Sequence, residues 1–201
     1  MTLDQSVLKD NFLALHTEMT GIKTATEYAE VQLAVYQDGY AVEAQLPPIV
    51  IGGEDFSDSI SLASVGDISF KSNYATIYGV ISGVFITHIT TIASAYAQYW
   101  SESMWLGAGT IIGIVEIGSV QPNAAFIATA KAALIQTYLA MVLSFDPASS
   151  MTAEQGAELQ ATMFDTFTKA SGVIVSGTIH LSWVPPFTVP DVPFSLPFPL
   201  T

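Results

Sequence analysis

The sequence predicts an α+β protein, mainly helical, with a long central apolar helix, a few short strands and an extended Pro-rich C-terminal arm. Three stretches carry the prediction. Residues 72–101 run for thirty positions without Asp, Glu, Lys or Arg, and Tyr74, Ile77, Tyr78, Ile81, Phe85, His88, Ile92, Tyr96 and Tyr99 fall along one stripe at helical spacing. Residues 173–184 alternate apolar Val173, Val175, Ile179, Leu181 and Trp183 with Ile174, Ser176, Thr178, His180 and Ser182, the period of a strand with a mainly hydroxyl-bearing outer face. Residues 185–201 interleave six prolines with Phe187, Val189, Val192, Phe194, Leu196, Phe198 and Leu200, which rules out a regular helix or a central strand and leaves an extended segment.

In the central stretch, Val, Ile, Thr and Gly all weaken helix propensity. The helix is nevertheless favoured over a pair of buried strands. On another face of it Ala75, Gly79, Gly83 and Thr87 recur every four residues, a spacing that lets a second backbone approach closely in membrane helix dimers and in tight bundles.

Taken in order, the chain opens with Thr2 and Gln5 at capping-box spacing ahead of Leu3, Val7, Leu8, Phe12 and Leu15, a first helix reaching Gly21. Thr24 and Glu27 repeat that spacing before Tyr28, Val31, Val35 and Tyr36, a second helix. Pro47, Pro48, Gly52 and Gly53 then mark a loop, with short strands expected near Ile49–Ile51 and Ile60–Leu62. Residues 106–120 form an apolar run punctuated by Gly107, Gly109, Gly113 and Gly118, with Glu116 its lone charge, and fit a buried strand or a Gly-rich loop. Pro122 and Asn123 open a helix that Asp146 and Pro147 stop, and Thr152 with Gln155 opens another that ends at Gly172. These two are expected to pack as an antiparallel pair. Residues 1–184 are assigned to one domain and residues 185–201 to the arm. Because the arm is apolar, it needs a surface to lie on; a neighbouring subunit's is the expectation, with its own domain's as the alternative.

Composition narrows the function. At 201 residues, half of them hydrophobic, the chain is long enough for a substantial core. Eighteen acidic residues stand against five lysines and no arginine, for a formal net charge of -13. Without the guanidinium fork that grips phosphate, and with a surface that repels DNA, nucleic-acid and nucleotide binding are not expected. The absence of cysteine excludes disulfides, thiolate metal sites and thiol nucleophiles. Residues 1–10 lack a basic segment followed by an apolar run, so no secretory signal is read there and synthesis in a cytoplasm is expected.

Little in the chain points to chemistry. His16, His88 and His180 are isolated in sequence from one another and from acidic partners. A hydrogen-bonded core histidine is the expectation for His88, an exposed one for His180, and a helix-terminal one for His16. Glu54, Asp55 and Asp58 cluster in a loop but lack the calcium-loop ligand order. Glu102 and Glu116 are the acids in the apolar middle that a glycosidase reading would have to use, and no spacing selects them. Nucleophile-elbow, Walker, zincin and dinucleotide fingerprints are missing; Gly107, Gly109 and Gly113 miss the last by one position. The expectation is no catalytic residue, no cofactor and no metal.

Residues 151–183, above all the run FDTFTKASGVIVSGTIHLSW, resemble the Ala/Thr-rich helix followed by a Val-Thr-Gly strand of small virion proteins of tailed bacteriophages. The resemblance implies a structural component of the capsid, neck (head–tail connector) or tail, made in the host cytoplasm, without an active site. It would act as a homo-oligomer in contact with other virion proteins. Three features would carry such assembly: the small-residue face at Ala75, Gly79 and Gly83; the strand with Val175, Ile179 and Trp183, adding to a partner's sheet edge; and the arm with Phe187, Val189, Val192, Phe194, Leu196 and Phe198, stapling a neighbour. The alternative is a membrane-associated or pore-forming protein that uses residues 77–99, long enough for one span. Against it stand His88, several hydroxyls in the span and the lack of basic flanks beyond Lys71. A third reading, an enzyme, would need His88 near Glu102 or Glu116.

Overall fold

Side chains that satisfy orphan backbone amides set most of the helix starts. The computed structural model describes residues 3–18, 24–79, 85–143, 151–184 and 189–201. In chain order these hold α1 (Gln5–Glu18), α2 (Ala25–Gln37), β1 (Val50–Ile51), β2 (Glu54–Asp55), β3 (Ser61–Ser64), α3 (Asp67–Ala75), α4 (Phe85–Ser101), β4 (Met104–Leu106), β5 (Ile111–Ile112), β6 (Val115–Pro122), α5 (Ala124–Leu143), α6 (Ala153–Ala170), β7 (Gly172–Ile179) and β8 (Val192–Pro199). Thr24 with Glu27 and Thr152 with Gln155 form complete capping boxes at α2 and α6. At α5 the Asn123 carboxamide oxygen accepts from the amides of Ala125 and Phe126 at 3.1 and 3.2 Å. Ahead of α1 that part falls to Asp4, whose carboxylate accepts from the Ser6 amide at 2.9 Å. The Thr2 half of the expected box lies outside the described residues, as do Asp146 and Pro147.

The fold class is the expected one, α+β with a long apolar helix, but that helix is α5 and not the central stretch. Within residues 72–101 the chain finishes α3 at Ala75, tightens into a 3₁₀ turn over Thr76–Gly79, and runs as α4 from Phe85. The helical reading of the stretch holds over paired strands, and so does its buried stripe: Tyr74, Ile77, Ile92, Tyr96 and Tyr99 are all buried. What periodicity could not show is the break. Because α3 packs against α4, the stripe wraps two elements around one aromatic core.

That core joins α2, α3, α4 and α6. The Tyr36 ring meets Tyr96 and Tyr99 edge-on at 4.7 and 5.3 Å, Phe70 meets Tyr96 at 5.0 Å, and Tyr96 stacks on Phe164 at 4.2 Å. α6 also lies along α1 and α5. Burial pushes the Tyr36, Tyr74, Tyr96 and Tyr99 phenols above their ordinary range, so they stay neutral.

A four-stranded antiparallel sheet in the order β5-β6-β7-β8 closes the C-terminal half. The glycine-punctuated run is therefore strand and turn together. At the β5–β6 turn Gly113 has φ +56°, and a side chain there would run into the Glu54 carboxylate. β7 has Val173 and Val175 buried on its inner face, with Ser176 and Thr178 on the other, as its alternation predicts.

Of the Pro-rich segment, residues 192–199 are extended, as its prolines require, and are taken up as β8, paired along the whole of β7 from Ile179↔Val192 to Gly172↔Pro199. Pro193, Pro197 and Pro199 share one parity, so their missing N–H groups fall on the outer edge, where no ladder needs them. The surface this segment lies on is its own domain's, the second of the two that its apolar character allowed. Phe194 and Phe198 pack on the core, Leu200 is buried, and Thr201 exchanges backbone hydrogen bonds with Gln45 at 2.9 and 3.1 Å.

Candidate functional site

The expected interface residues do not form one surface. Ala75 ends α3, partly buried against the core, and Gly79 ends the 3₁₀ turn, so they share no continuous helix face; Gly83 and Phe187 lie outside the described residues. Val175 is fully buried and Ile179 packs on the core. β7 also lies between β6 and β8, so neither of its edges is open to a partner strand. That corrects the sheet-addition reading: β7 spends its hydrogen bonds inside the chain. Trp183 falls in a 3₁₀ turn after β7 and not in the strand. Val189, Val192 and Leu196 remain 44, 45 and 39 % exposed. The outer edge of β8 keeps just one N–H within the strand, that of Ser195, and is closed to augmentation.

One little-buried apolar helix, packed on α4 and α6 along one side, is a surface the sequence stripe did not mark. α5 is long and apolar enough to cross a membrane, yet only 17 % of the residues from Ala124 to Met141 are buried, namely Ile127, Ala130 and Leu134. Its outward face presents Ala125, Thr129, Ala132, Gln136 and Ala140, one per helical turn. Lys131 is the sole charge in the helix. Beside it, a groove of about 120 Å³ between α5 and α6 is lined by Ala133, Thr137, Thr162, Met163, Thr166 and Ala170. The hydrophobic content of α5 was legible; its low periodicity, with Ala and Thr all round, hid which side faces outward.

The ionisable groups regroup in a way the linear sequence concealed. His180, expected to be exposed, is instead held between two carboxylates: its Nε2 lies 2.9 Å from Glu116 Oε2 and its Nδ1 2.8 Å from Asp191 Oδ2. Both carboxylates favour the charged ring, raising the His180 pKa above its ordinary 6.5, with Asp191 the larger influence. In turn His180, then Ser182, depress the Asp191 carboxyl. The Ser182 hydroxyl donates to Asp191 at 2.9 Å, so the chain of contacts runs serine–aspartate–histidine–glutamate and lacks the serine-to-imidazole contact that general-base activation requires. The carboxylates stand at opposite edges of the ring and do not converge. Among the described residues no group of three is placed to hold a metal ion.

The two acids that an enzyme reading would use have other partners. Glu102 accepts from Ser69 at 2.7 Å and Gln98 at 2.6 Å beyond the end of α4, while His88 sits near the start of that helix, about 21 Å away at 1.5 Å per residue. Glu116 is engaged with His180. Both acids thus have partners other than His88 among the described residues. Asp55 accepts from the Ser57 amide at 2.9 Å and from its hydroxyl, which lowers its pKa and shapes the loop. His16, in the last turn of α1 as expected, contacts Gln160 at 3.0 Å.

A second buried polar set lies in the helical core. Tyr40 donates to Asp165 at 2.8 Å and Lys169 pairs with the same carboxylate at 2.9 Å, so this acid is partnered structurally. Comparison with known proteins returns no matching family model, no similar curated protein and no similar solved structure.

Proposed function

We propose that this chain is a structural assembly protein that works by self-association through α5, as a virion component of a tailed bacteriophage (capsid, neck or tail). The observation that carries the assembly reading is the apolar, nearly uncharged α5, of which little is buried in its own chain. A second copy is the occupant that the charge distribution favours. At a net charge of -13, most faces of two copies repel, whereas the α5 face brings no carboxylate to the contact. Its small side chains allow helix axes to approach to about 8 Å, the close end of helix packing. With β7 enclosed and β8 edged by proline, neither of these two strands offers a partner an open edge. The virion assignment rests on the resemblance carried by residues 151–183. No catalytic step is assigned, and the charge balance gives no affinity for nucleic acid.

Light scattering on the purified chain tests this reading. An oligomer that Ala132→Glu reduces to a monomer, with helical circular dichroism unchanged, is the expected result. A monomer at every concentration for the native chain would overturn it.

The membrane reading has its own observation, since Ala124–Met141 meets the length and composition of a span. It moves there from residues 77–99, because α4 buries Ile89, Ile92, Tyr96, Tyr99 and Trp100 in its own core. Flotation with neutral phosphatidylcholine vesicles separates the two: co-flotation favours the bilayer, sedimentation as an oligomer favours the second copy.

A further inference from the structure

The two ends of β8 are fastened by different physics. At the C-terminal end Leu200 is buried and its amide donates to the Ser171 carbonyl at 2.9 Å, with Thr201 bonded to Gln45 beyond it. None of these groups titrates near neutral pH. At the N-terminal end the fastening is Asp191, one residue before the strand, on the ring of His180. The same ring reaches Glu116 on β6, so a single imidazole spans β6, β7 and the entry to β8. His180 itself is fixed by its amide, which donates to the Ile114 carbonyl at 2.7 Å.

Two carboxylates at the two ring nitrogens require both nitrogens to donate, and only the imidazolium does so. In neutral imidazole one nitrogen turns a lone pair toward a carboxylate oxygen, and the contact becomes repulsive. The ring side chain is 15 % exposed, whereas the Glu116 and Asp191 side chains are 40 and 35 % exposed, so that repulsion is relieved by a carboxylate leaving the ring for water. Among the described residues, the neighbouring groups supply no substitute charge. Ser182 on the following turn and Thr178 on β7 are neutral, and the neighbouring charge on the β1–β2 hairpin is another acid, Glu54, seated against Gly113. Lys9 pairs with Glu154 and Glu158, and Lys169 with Asp165, all in the helical half.

We propose that His180 is a proton-operated latch: as the imidazolium it holds the first half of β8 on the sheet through Asp191, and loss of its proton frees residues 191–194 while Leu200 keeps the strand tethered. The sign follows from the partners. With the His180 pKa raised and the Asp191 pKa lowered, the latch is closed from mildly acidic pH up to the raised His180 value and opens as pH climbs through it. At the acid end it fails as pH falls through the depressed Asp191 value. Opening uncovers apolar surface, because Val192 pairs with Ile179 and Phe194 covers Gly177. A basic environment would therefore expose a strand edge that a mildly acidic one keeps closed.

Amide hydrogen exchange on the full chain, expressed as protection relative to the intrinsic rate at each pH, tests the latch. The Phe194 amide is expected to lose at least tenfold protection between pH 6 and pH 9, with a midpoint matching the His180 imidazole titration followed by NMR, while Phe198 stays protected. His180→Gln and Asp191→Asn should show the low value at both pH values. Equal protection of Phe194 across the range in the native chain, or a midpoint that does not track the imidazole, overturns the proposal. So does an unchanged pH dependence in either variant. The native titration alone decides the matter if a variant fails to fold.

Discussion

The indole N–H of Trp100 donates to the Tyr36 hydroxyl at 2.8 Å, and Tyr36 passes its own hydrogen to Thr168, whose hydroxyl donates to the Phe164 carbonyl at 2.7 Å. This directed chain ties α4 to α2 and α2 to α6 through the centre of the aromatic core. Tyr36 and Thr168 are fully buried and Trp100 nearly so, so none of them can turn to water instead.

Tyr36→Phe keeps the ring packing and removes the middle link, leaving the Trp100 N–H without its acceptor. A buried donor stranded in this way costs about 1–3 kcal/mol. Urea unfolding at pH 7 should show that loss with an unchanged denaturant slope.

Thr152→Ala removes one half of the capping box on α6. A loss of about 1 kcal/mol is expected, and α6 amides near Gln155 should exchange faster than those near Phe167. Uniform acceleration along the helix would mean that the cap does not act locally.

These caps were legible in the sequence because capping is local: Thr24 with Glu27, Thr152 with Gln155 and the Asn123 start need only three residues each. The alternation of β7 was legible for the same reason. The break after Ala75 was not, since both halves of the stripe face one core and the periodicity continues across the turn. The His180 site was hidden by separation, with Glu116 64 residues from the histidine it meets. A signal did exist. Glu116 is the lone charge of residues 106–120 and Asp191 the lone acid of residues 185–201. Isolated charges in apolar segments need one another or water, and His180, one residue past the end of β7, is the basic group that meets both.

Gly177 lies where β6 and β8 close in on β7. A methyl group there collides with the Glu116 carbonyl oxygen and the Phe194 ring. Gly177→Ala should destabilise the sheet by roughly 1–3 kcal/mol, the range for overpacking, and shift Phe194 resonances more than those of the α2–α4 core.

The stability of the chain should carry the His180 signature as well. The difference in thermal midpoint between the native chain and Asp191→Asn is expected to be largest near about pH 6 and to vanish at alkaline pH, once the ring is neutral. Scanning calorimetry over that range measures it.

The central claim is that a second copy covers the outward face of α5. Because the chain contains no cysteine, single cysteines placed at Ala125, Ala132 and Ala140 report on that face alone, with Ile68→Cys, 82 % exposed on α3, as the open reference. Alkylation rates at high and low protein concentration are the measurement. The α5 cysteines are expected to react at least tenfold more slowly than the reference when concentrated and to approach it on dilution. Cysteines on α5 that react as fast as the one at position 68 at every concentration would contradict the claim.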